Sequence, residues 1–482
     1  MTAPRRRRAH LALAGLETAV KVLLIDPPEL YLRGAGHTRQ VQPLGLAYVG
    51  AAVQDIADVR FLLPDTRAYV GDAPWPGLLD AIVDEAPDII GLTAVSATFA
   101  TAVELARRVR QRLPDVPIVL GGVHASTLPG DSLRQGPCID VVVQGEGEAT
   151  LRELVVALSG PRRGRLPADV ASIAGLWLRE PDGAPFATPQ RPLLRELDTL
   201  PHPKRDGLVW QDDIEPAFRQ AMVTLRGCPY SCIYCAVPGL DSARTRMHSA
   251  ARVVDEIEAL IARWQIPYLF FHDSVFTLSA KRTLAICAEM RRRNVTIPFC
   301  IQTRADRLGD DVLAAMIDVG LHQVFFGVET GTAYGLEQIK KAMPLAVIRD
   351  AIARTRAAGV RAAGFFMVGW PWEDVAAIEA TIDFATELDL DTLSLFSATP
   401  LPGTELWQLA AADGVAPPMP RTVDFRQPHV NLTRLDDDVY AAAFAAARAR
   451  VDAYNQARMM AALGPGQSWH LLPEPNAPAS PR

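Results

Sequence analysis

The sequence predicts an α/β protein built from two parallel-sheet domains in series, and three observations carry that prediction. Short apolar runs of strand length alternate with helical stretches from about residue 19 to residue 160. A Pro- and Arg-rich interval follows, and the alternation resumes at Ala221 for six strand–helix units. Beyond about residue 415 the pattern is helical. Strands alternating with helices of this length imply a parallel, doubly wound sheet.

In the first domain, strands are expected at Val22–Ile25, Val59–Leu63, Ile89–Thr93, Ile118–Leu120 and Val141–Val143. Helices are expected at Leu44–Val53, Leu78–Glu85 and Thr101–Leu113. This is a flavodoxin-like or Rossmann-like arrangement, and such sheets bind ligands outside the carboxyl ends of their strands. The loops at those ends are rich in Gly, Ser and Thr, so Ser96, Thr98, Gly121, Gly122 and His124 are the candidate contacts. His124 is more simply read as a loop histidine hydrogen-bonded to backbone. Residues 161–215 read as a linker with one small hairpin, because Pro201-His202-Pro203 cannot be helical.

The second domain, residues 216–415, should place strands at Met222–Leu225, Tyr268–Phe271, Phe299–Gln302, Gln323–Val328, Ala363–Val368 and Thr392–Phe396. Six units are too few for a closed eightfold barrel, so a partial (β/α)6 barrel is expected, with its site at the carboxyl ends of the strands. Residues 416–465 form a helical segment in which Asp436–Asp438 caps an Ala-rich helix. Residues 1–18, with Arg5 to Arg8, read as a disordered basic arm, and 466–482, rich in Pro, as a disordered tail.

Composition narrows the partners. Apolar residues are 49% of the chain and charged residues 22%, enough for large cores. The net charge of −6 argues against nucleic acid, which wants a basic face. Glu17 and Lys21 interrupt the apolar stretch after the basic arm, so a signal peptide is not expected. No apolar run approaches the ~20 residues that span a bilayer. A cytoplasmic protein without a membrane partner is expected.

Three of the six cysteines fall within eight residues, in Arg226-Gly227-Cys228-Pro229-Tyr230-Ser231-Cys232-Ile233-Tyr234-Cys235. Thiolates suit iron–sulfur clusters, and three of them leave one iron of a four-iron cubane without a protein ligand. A structural zinc site would need a fourth ligand and usually a second paired hook, which this sequence lacks. Cys138 and Cys287 read as core, and Cys300 as facing the barrel interior.

The C-x₃-C-x-Tyr-Cys spacing resembles the signature of the radical S-adenosylmethionine (SAM) superfamily. That resemblance implies a [4Fe–4S] cluster on Cys228, Cys232 and Cys235 whose open iron binds SAM, and a 5′-deoxyadenosyl radical on reduction. It extends to later strand ends. Phe271-His272-Asp273, Gly327-Val328-Glu329-Thr330 and Met367-Val368-Gly369 match positions where the family contacts SAM, Gln302 and Arg304 end the third strand at the same mouth, and Pro402-Gly403-Thr404 is similar to the family's x-P-G-T turn. Tyr234, Asp273, Gln302, Arg304, Glu329 and Gly369 are thereby implied as cofactor contacts.

A doubly wound domain ahead of such a barrel is similar to the cobalamin-binding class of this superfamily, over roughly residues 20 to 415. Cobalamin is implied without a histidine ligand, because the D-x-H-x-x-G motif is absent and Asp65-Thr66-Arg67 carries Arg at the histidine position. A methylthiotransferase would need three more cysteines in the first domain, where Cys138 stands alone. The implied activity is methylation of an unactivated carbon of a small molecule, such as a secondary metabolite. An electron donor such as flavodoxin or ferredoxin would reduce the cluster. The alternatives are a cyclase or rearrangement enzyme like the anaerobic magnesium-protoporphyrin monomethyl ester cyclase and, more remotely, a cobalamin sensor that has kept a barrel.

Overall fold

The computed structural model of the chain describes residues 20–28, 41–64, 75–159, 166–210, 215–241, 244–415 and 425–463. The basic arm at 1–18, Asp65-Thr66-Arg67, Pro161-Arg162-Arg163-Gly164 and the tail at 466–482 lie outside the described residues.

The first sheet is made of runs buried on both faces, as a parallel sheet requires. In β1 (Val20–Ile25), Val22 and Leu24 enter one core while Leu23 and Ile25 enter the other. This is the period-two alternation of a strand serving two layers. The order continues α1 (Leu44–Val53), β2 (Ala57–Leu62), α2 (Trp75–Glu85), β3 (Ile89–Thr93), α3 (Phe99–Arg112) and β4 (Ile118–Gly121). Two short helices follow, α4 (Val123–Thr127) and α5 (Pro129–Gln135), then β5 (Val141–Val143) and α6 (Glu148–Leu158). The strands are ordered β2-β1-β3-β4-β5 and all run parallel. The chain therefore reverses its winding between β1 and β3, which is where such sheets open a crevice at their carboxyl edge.

The stretch expected as a linker does more than connect. Its hairpin, β6 (Leu176–Arg179) and β7 (Pro185–Ala187), pairs antiparallel onto β5 and gives this sheet seven strands. At the opposite edge Phe61 of β2 exchanges backbone hydrogen bonds with Gly207 and Val209, at 2.8 and 2.9 Å. The interval thus straps both edges of the sheet.

The second domain runs β8 (Ala221–Met222), β9 (Leu225–Arg226), α7 (Val237–Asp241), β10 (Arg246–Met247), α8 (Ala250–Trp264), β11 (Leu269–Phe271) and α9 (Ala280–Arg292). It continues β12 (Phe299–Thr303), α10 (Asp310–Ile317), β13 (Leu321–Glu329), α11 (Ala333–Gln338), α12 (Leu345–Ala357), β14 (Arg361–Val368), α13 (Val375–Glu387) and β15 (Thr392–Ser397). The six strands β8, β11, β12, β13, β14 and β15 lie side by side in chain order, all parallel, as an open partial barrel. The first expected strand is divided: β9 leaves the sheet and pairs antiparallel with β10, Arg226 opposite Arg246. Side-chain oxygens of Ser249, Ser279 and Asp374 cap α8, α9 and α13. The face opposite the helices carries its own cluster of Cys300, Phe325 and Ala363 with Phe270 and Phe365. Burial there pushes the Cys300 thiol up to about 12, so it behaves as an inert core group.

After α14 (Glu405–Ala412), the long α15 (Asp437–Leu463) lies along the outer side of β15. Asn455 accepts from the Leu393 N–H and donates to its carbonyl, both at 2.9 Å, and Arg448 reaches the Leu395 carbonyl at 2.6 Å. The Tyr440 and Ser397 hydroxyls are 3.0 Å apart. No helix among the described residues is long and apolar enough to cross a membrane.

Gly122, just after β4, has φ of +95°. A Cβ there would stand 2.6 Å from Thr93 Oγ1 and 2.8 Å from the Ala94 carbonyl. Gly122→Ala is expected to cost roughly 2–4 kcal/mol, from backbone strain and a collision with main chain. Urea unfolding would measure it, and a cost below about 0.5 kcal/mol would contradict the geometry.

Candidate active site

The cysteine loop springs from β9. Gly227, with φ of +87°, makes the turn a residue with a Cβ would resist, and Cys228 follows at once. The loop is pinned at Ile233, whose N–H donates to Ile339 O and whose carbonyl accepts from Leu406 N. Cys228 is buried, and Cys232 and Cys235 are half-buried. Burial raises the Cys232 thiol, while Lys341 and Arg304 pull it back. Cys235 is pushed up to about 11 by burial, tempered by a backbone N–H at Val237.

The strand ends bring further groups to this loop. Glu329 ends β13 in the left-handed region, φ +77°, where the register with β14 is broken by a bulge. A non-glycine residue held there is a strained position of the kind that clusters at functional sites. Its carboxylate pairs with Lys341 Nζ at 2.9 Å, and both side chains are about nine-tenths buried. The Tyr234 hydroxyl donates to Glu329, and burial first and Glu329 second raise its pKa. Arg304 grips Asp306 through Nε and Nη2, at 3.0 and 2.9 Å, and donates to the Lys341 carbonyl. Its guanidinium lies 4.0 Å from the ring centre of Tyr230 in the cysteine loop. Gln302 is half-buried on β12, on the same side of the strand as Cys300. Lys341 has no sequence signal; it follows the short α11 and belongs to no recognised motif.

Two expected contacts are committed elsewhere. Asp273 is fully buried and accepts from the Thr224 N–H at 2.6 Å, the Leu225 N–H at 3.0 Å and the Thr224 hydroxyl. It ties β8 to β9 and so holds the root of the cysteine loop. The open side of that strand end belongs to the exposed His272, whose ring is tilted against Phe270 with centres 4.3 Å apart. Gly369, φ +95°, does leave room on its Cβ side, but the Tyr440 hydroxyl of α15 takes it: a Cβ would stand 2.1 Å from that oxygen.

Beside Gly369 lies Glu373, whose Oε2 accepts from the Gly369 and Trp370 N–H groups at 2.7 and 3.1 Å. Its Oε1 is buried without a partner, and burial raises this carboxyl from an ordinary 4.5 to about 7. Because the folded-state value is raised, the contribution to stability is complete below pH 4.5 and is lost as pH rises through 7. Glu373→Gln should therefore gain on the parent protein across that window by roughly 3 kcal/mol. Urea midpoints at pH 4.5 and 8 test this; parallel curves for the two proteins would refute it.

At the carboxyl edge of the first sheet a cavity of about 330 Å³ opens against the second domain. Its floor is apolar, from Leu24, Leu92, Val119 and Val143. Gly45, Gly121 and Gly145 line it with open space where each Cβ would stand. Glycine walls over an apolar floor suit a broad, flat ligand such as a corrinoid. Ser96, Thr98 and His124 are not in this lining. Thr98 bonds Val95 in a local turn. His124 faces the core, stacked on Phe99 at 3.9 Å with Nδ1 3.2 Å from Ser96 Oγ, and burial lowers its pKa to about 4. Thr93 and Ser126 take their place in the cavity wall.

Arg226 and Glu146 join the two regions. The Arg226 guanidinium donates to Glu146 at 2.7 Å and to Glu148 at 2.5 Å, and lies 5.0 Å from the ring centre of Tyr48. Arg246 contacts both oxygens of Glu146, at 2.8 and 2.9 Å, and the Leu194 carbonyl. Burial raises the Glu146 carboxyl, but Arg226, the Leu194 N–H and Arg246 outweigh it and leave the pKa below the ordinary range.

The sequence matches two families in succession, the B12 binding domain over residues 37–155 and the radical SAM superfamily over residues 222–385. It is 34% identical over 401 residues to the uncharacterized methyltransferase PH0819 of Pyrococcus horikoshii, covering 82% of this chain and 84% of that protein. It is 28% identical to the anaerobic magnesium-protoporphyrin IX monomethyl ester cyclase of Rubrivivax gelatinosus, covering 81% of this chain and 70% of that protein. Among solved structures, the fold matches the radical SAM methyltransferase TsrM of Kitasatospora setae with cobalamin and a [4Fe–4S] cluster bound. That match has a TM-score of 0.69 at 21% identity and covers 83% of this chain and 76% of that one.

Proposed function

The chain belongs to the B12-binding radical SAM enzymes, and from that membership we propose that it C-methylates a small molecule at an unactivated carbon. The observation that carries the reading is that Arg226, two residues from Cys228, lines the glycine-walled cavity of the first domain. The cavity of the first domain therefore reaches the root of the cysteine loop. When bound, the cluster supplies one-electron cleavage of SAM, and cobalamin supplies a methyl carrier. Cys228, Cys232 and Cys235 hold the first, and Gly45, Gly121, Gly122 and Gly145 shape the bed of the second. Glu329, Lys341, Gln302 and Arg304 would face the charged end of SAM, with Tyr234 as an aromatic wall. The burial of Glu329 and Lys341 would limit water at that end. Similarity to a protein named as a methyltransferase over most of both chains supports methylation. The cyclase relatives keep radical cyclisation as the second reading.

A secondary metabolite is the proposed substrate, and a flavodoxin or ferredoxin in the cytoplasm the proposed electron source. Anaerobic turnover with reductant distinguishes the readings. Methylation consumes two SAM per product, yields both 5′-deoxyadenosine and S-adenosylhomocysteine, and adds CH₂ to the substrate mass. Cyclisation yields 5′-deoxyadenosine alone with no gain of CH₂. Loss of both products in protein with a full cluster would end the enzyme reading.

A further inference from the structure

We propose that Glu146, Glu148, Arg226 and Arg246 form a clasp through which the occupant of the interdomain cavity sets the position of the cysteine loop. The inference rests on the reading above, that the cavity takes cobalamin and the loop a cluster. Glu146 and Glu148 belong to the turn that leaves β5, and both line the cavity. Arg226 lines it from the other side and is joined to Cys228 through Gly227 alone. Arg226 and Arg246 are opposite each other in the β9–β10 ladder, so the two guanidinium groups move as one unit.

Every side chain of the clasp is at least 85% buried. Buried, multiply hydrogen-bonded ion pairs have little tolerance for partial separation, because each half-broken contact leaves an uncompensated charge. Glu148 is also the first residue of α6, where the helix dipole favours its charge and fixes its place. The clasp therefore has one satisfied geometry, and a ligand that presses on Glu146, Glu148 or Tyr48 reaches Cys228 through a continuous chain of contacts. These four are positioning residues: they act on the cysteines and the cavity, not on the reacting atoms.

The clasp makes the two sites thermodynamically linked, and linkage is reciprocal. The test uses the full chain, reconstituted without oxygen and kept with its cluster oxidised, with hydroxocobalamin and SAM as probes in equilibrium dialysis. In the parent protein hydroxocobalamin should tighten SAM binding about tenfold, and SAM should tighten hydroxocobalamin by the same factor. Arg246→Lys and Glu148→Gln should each reduce that factor to within about twofold of unity. A purely structural defect lowers both affinities and leaves their coupling intact, so the factor separates positioning from folding. Retention of the full factor in both variants, or a factor of one in the parent protein, overturns the clasp while leaving the two sites standing. Failure of the parent protein to bind hydroxocobalamin at all would instead remove the cobalamin reading, and the clasp with it.

Discussion

Cys232→Ala, prepared and reconstituted without oxygen, is expected to lose stable [4Fe–4S] content and to form 5′-deoxyadenosine at least about a thousandfold more slowly than the parent protein. The reason is stoichiometric. A cubane has four irons to ligate, and on the proposed reading this site offers three thiolates and leaves one iron open for SAM. With two thiolates a second iron opens, and the cluster is no longer held. Neither Cys138, Cys287 nor Cys300 can substitute. Cys287 and Cys300 are sealed in apolar packing, and Cys138 belongs to the first domain's core. Iron analysis, the visible absorption of the cluster and product chromatography read the result. Normal iron content and a normal rate would remove the basis for the activity.

The second large effect lies at Glu329 and Lys341. Either Glu329→Gln or Lys341→Met leaves one buried charge without its partner, at an expected cost of 3–5 kcal/mol, on the order found when such pairs are broken. The double variant Glu329→Gln/Lys341→Met should recover most of that stability, because no uncompensated charge remains. It should not recover SAM cleavage, which is expected to stay roughly a hundredfold down, since the charges facing Cys232 are gone. Unfolding and cleavage measured on matched cluster-loaded preparations give the two readouts. Single variants costing under about 1 kcal/mol would show that the pair is not structurally coupled, and a double variant that cleaves SAM normally would show that it is not functional.

These two sites also mark what the amino-acid sequence discloses and what it withholds. The cysteine triad is legible because its spacing is set by one loop and needs no tertiary information. The six-stranded order is legible because each strand is an apolar run followed by a helix of ordinary length. Glu329 is found because it ends such a run. Lys341 is not, since only the return of the chain after α11 carries it back against Glu329. Asp273 and His272 differ by one position along a strand, and that one step decides which side chain faces the open interior and which is buried against Thr224. In the first domain Gly121 and Gly122 are in the cavity wall as expected, whereas Ser96, Thr98 and His124 spend their polar groups on a local turn and on one another. Composition signals a polar loop; it does not say which hydroxyls the loop consumes itself. The interval expected as a linker with one small hairpin does hold that hairpin, but its pairing onto β5 is not legible, because strands as short as β6 and β7 carry no signal of the sheet they join.

The long C-terminal helix has a consequence beyond its packing. Two amide atoms of Asn455 and the guanidinium of Arg448 meet the outward peptide groups of β15 where a seventh strand would otherwise pair. An unprotected margin of that kind is a template for recruiting other chains. Removing residues 437–463 would leave those peptides bare, and the shortened protein should self-associate in light scattering while the intact one stays dispersed. The helix is therefore as much a guard for the solubility of the enzyme as a part of its scaffold.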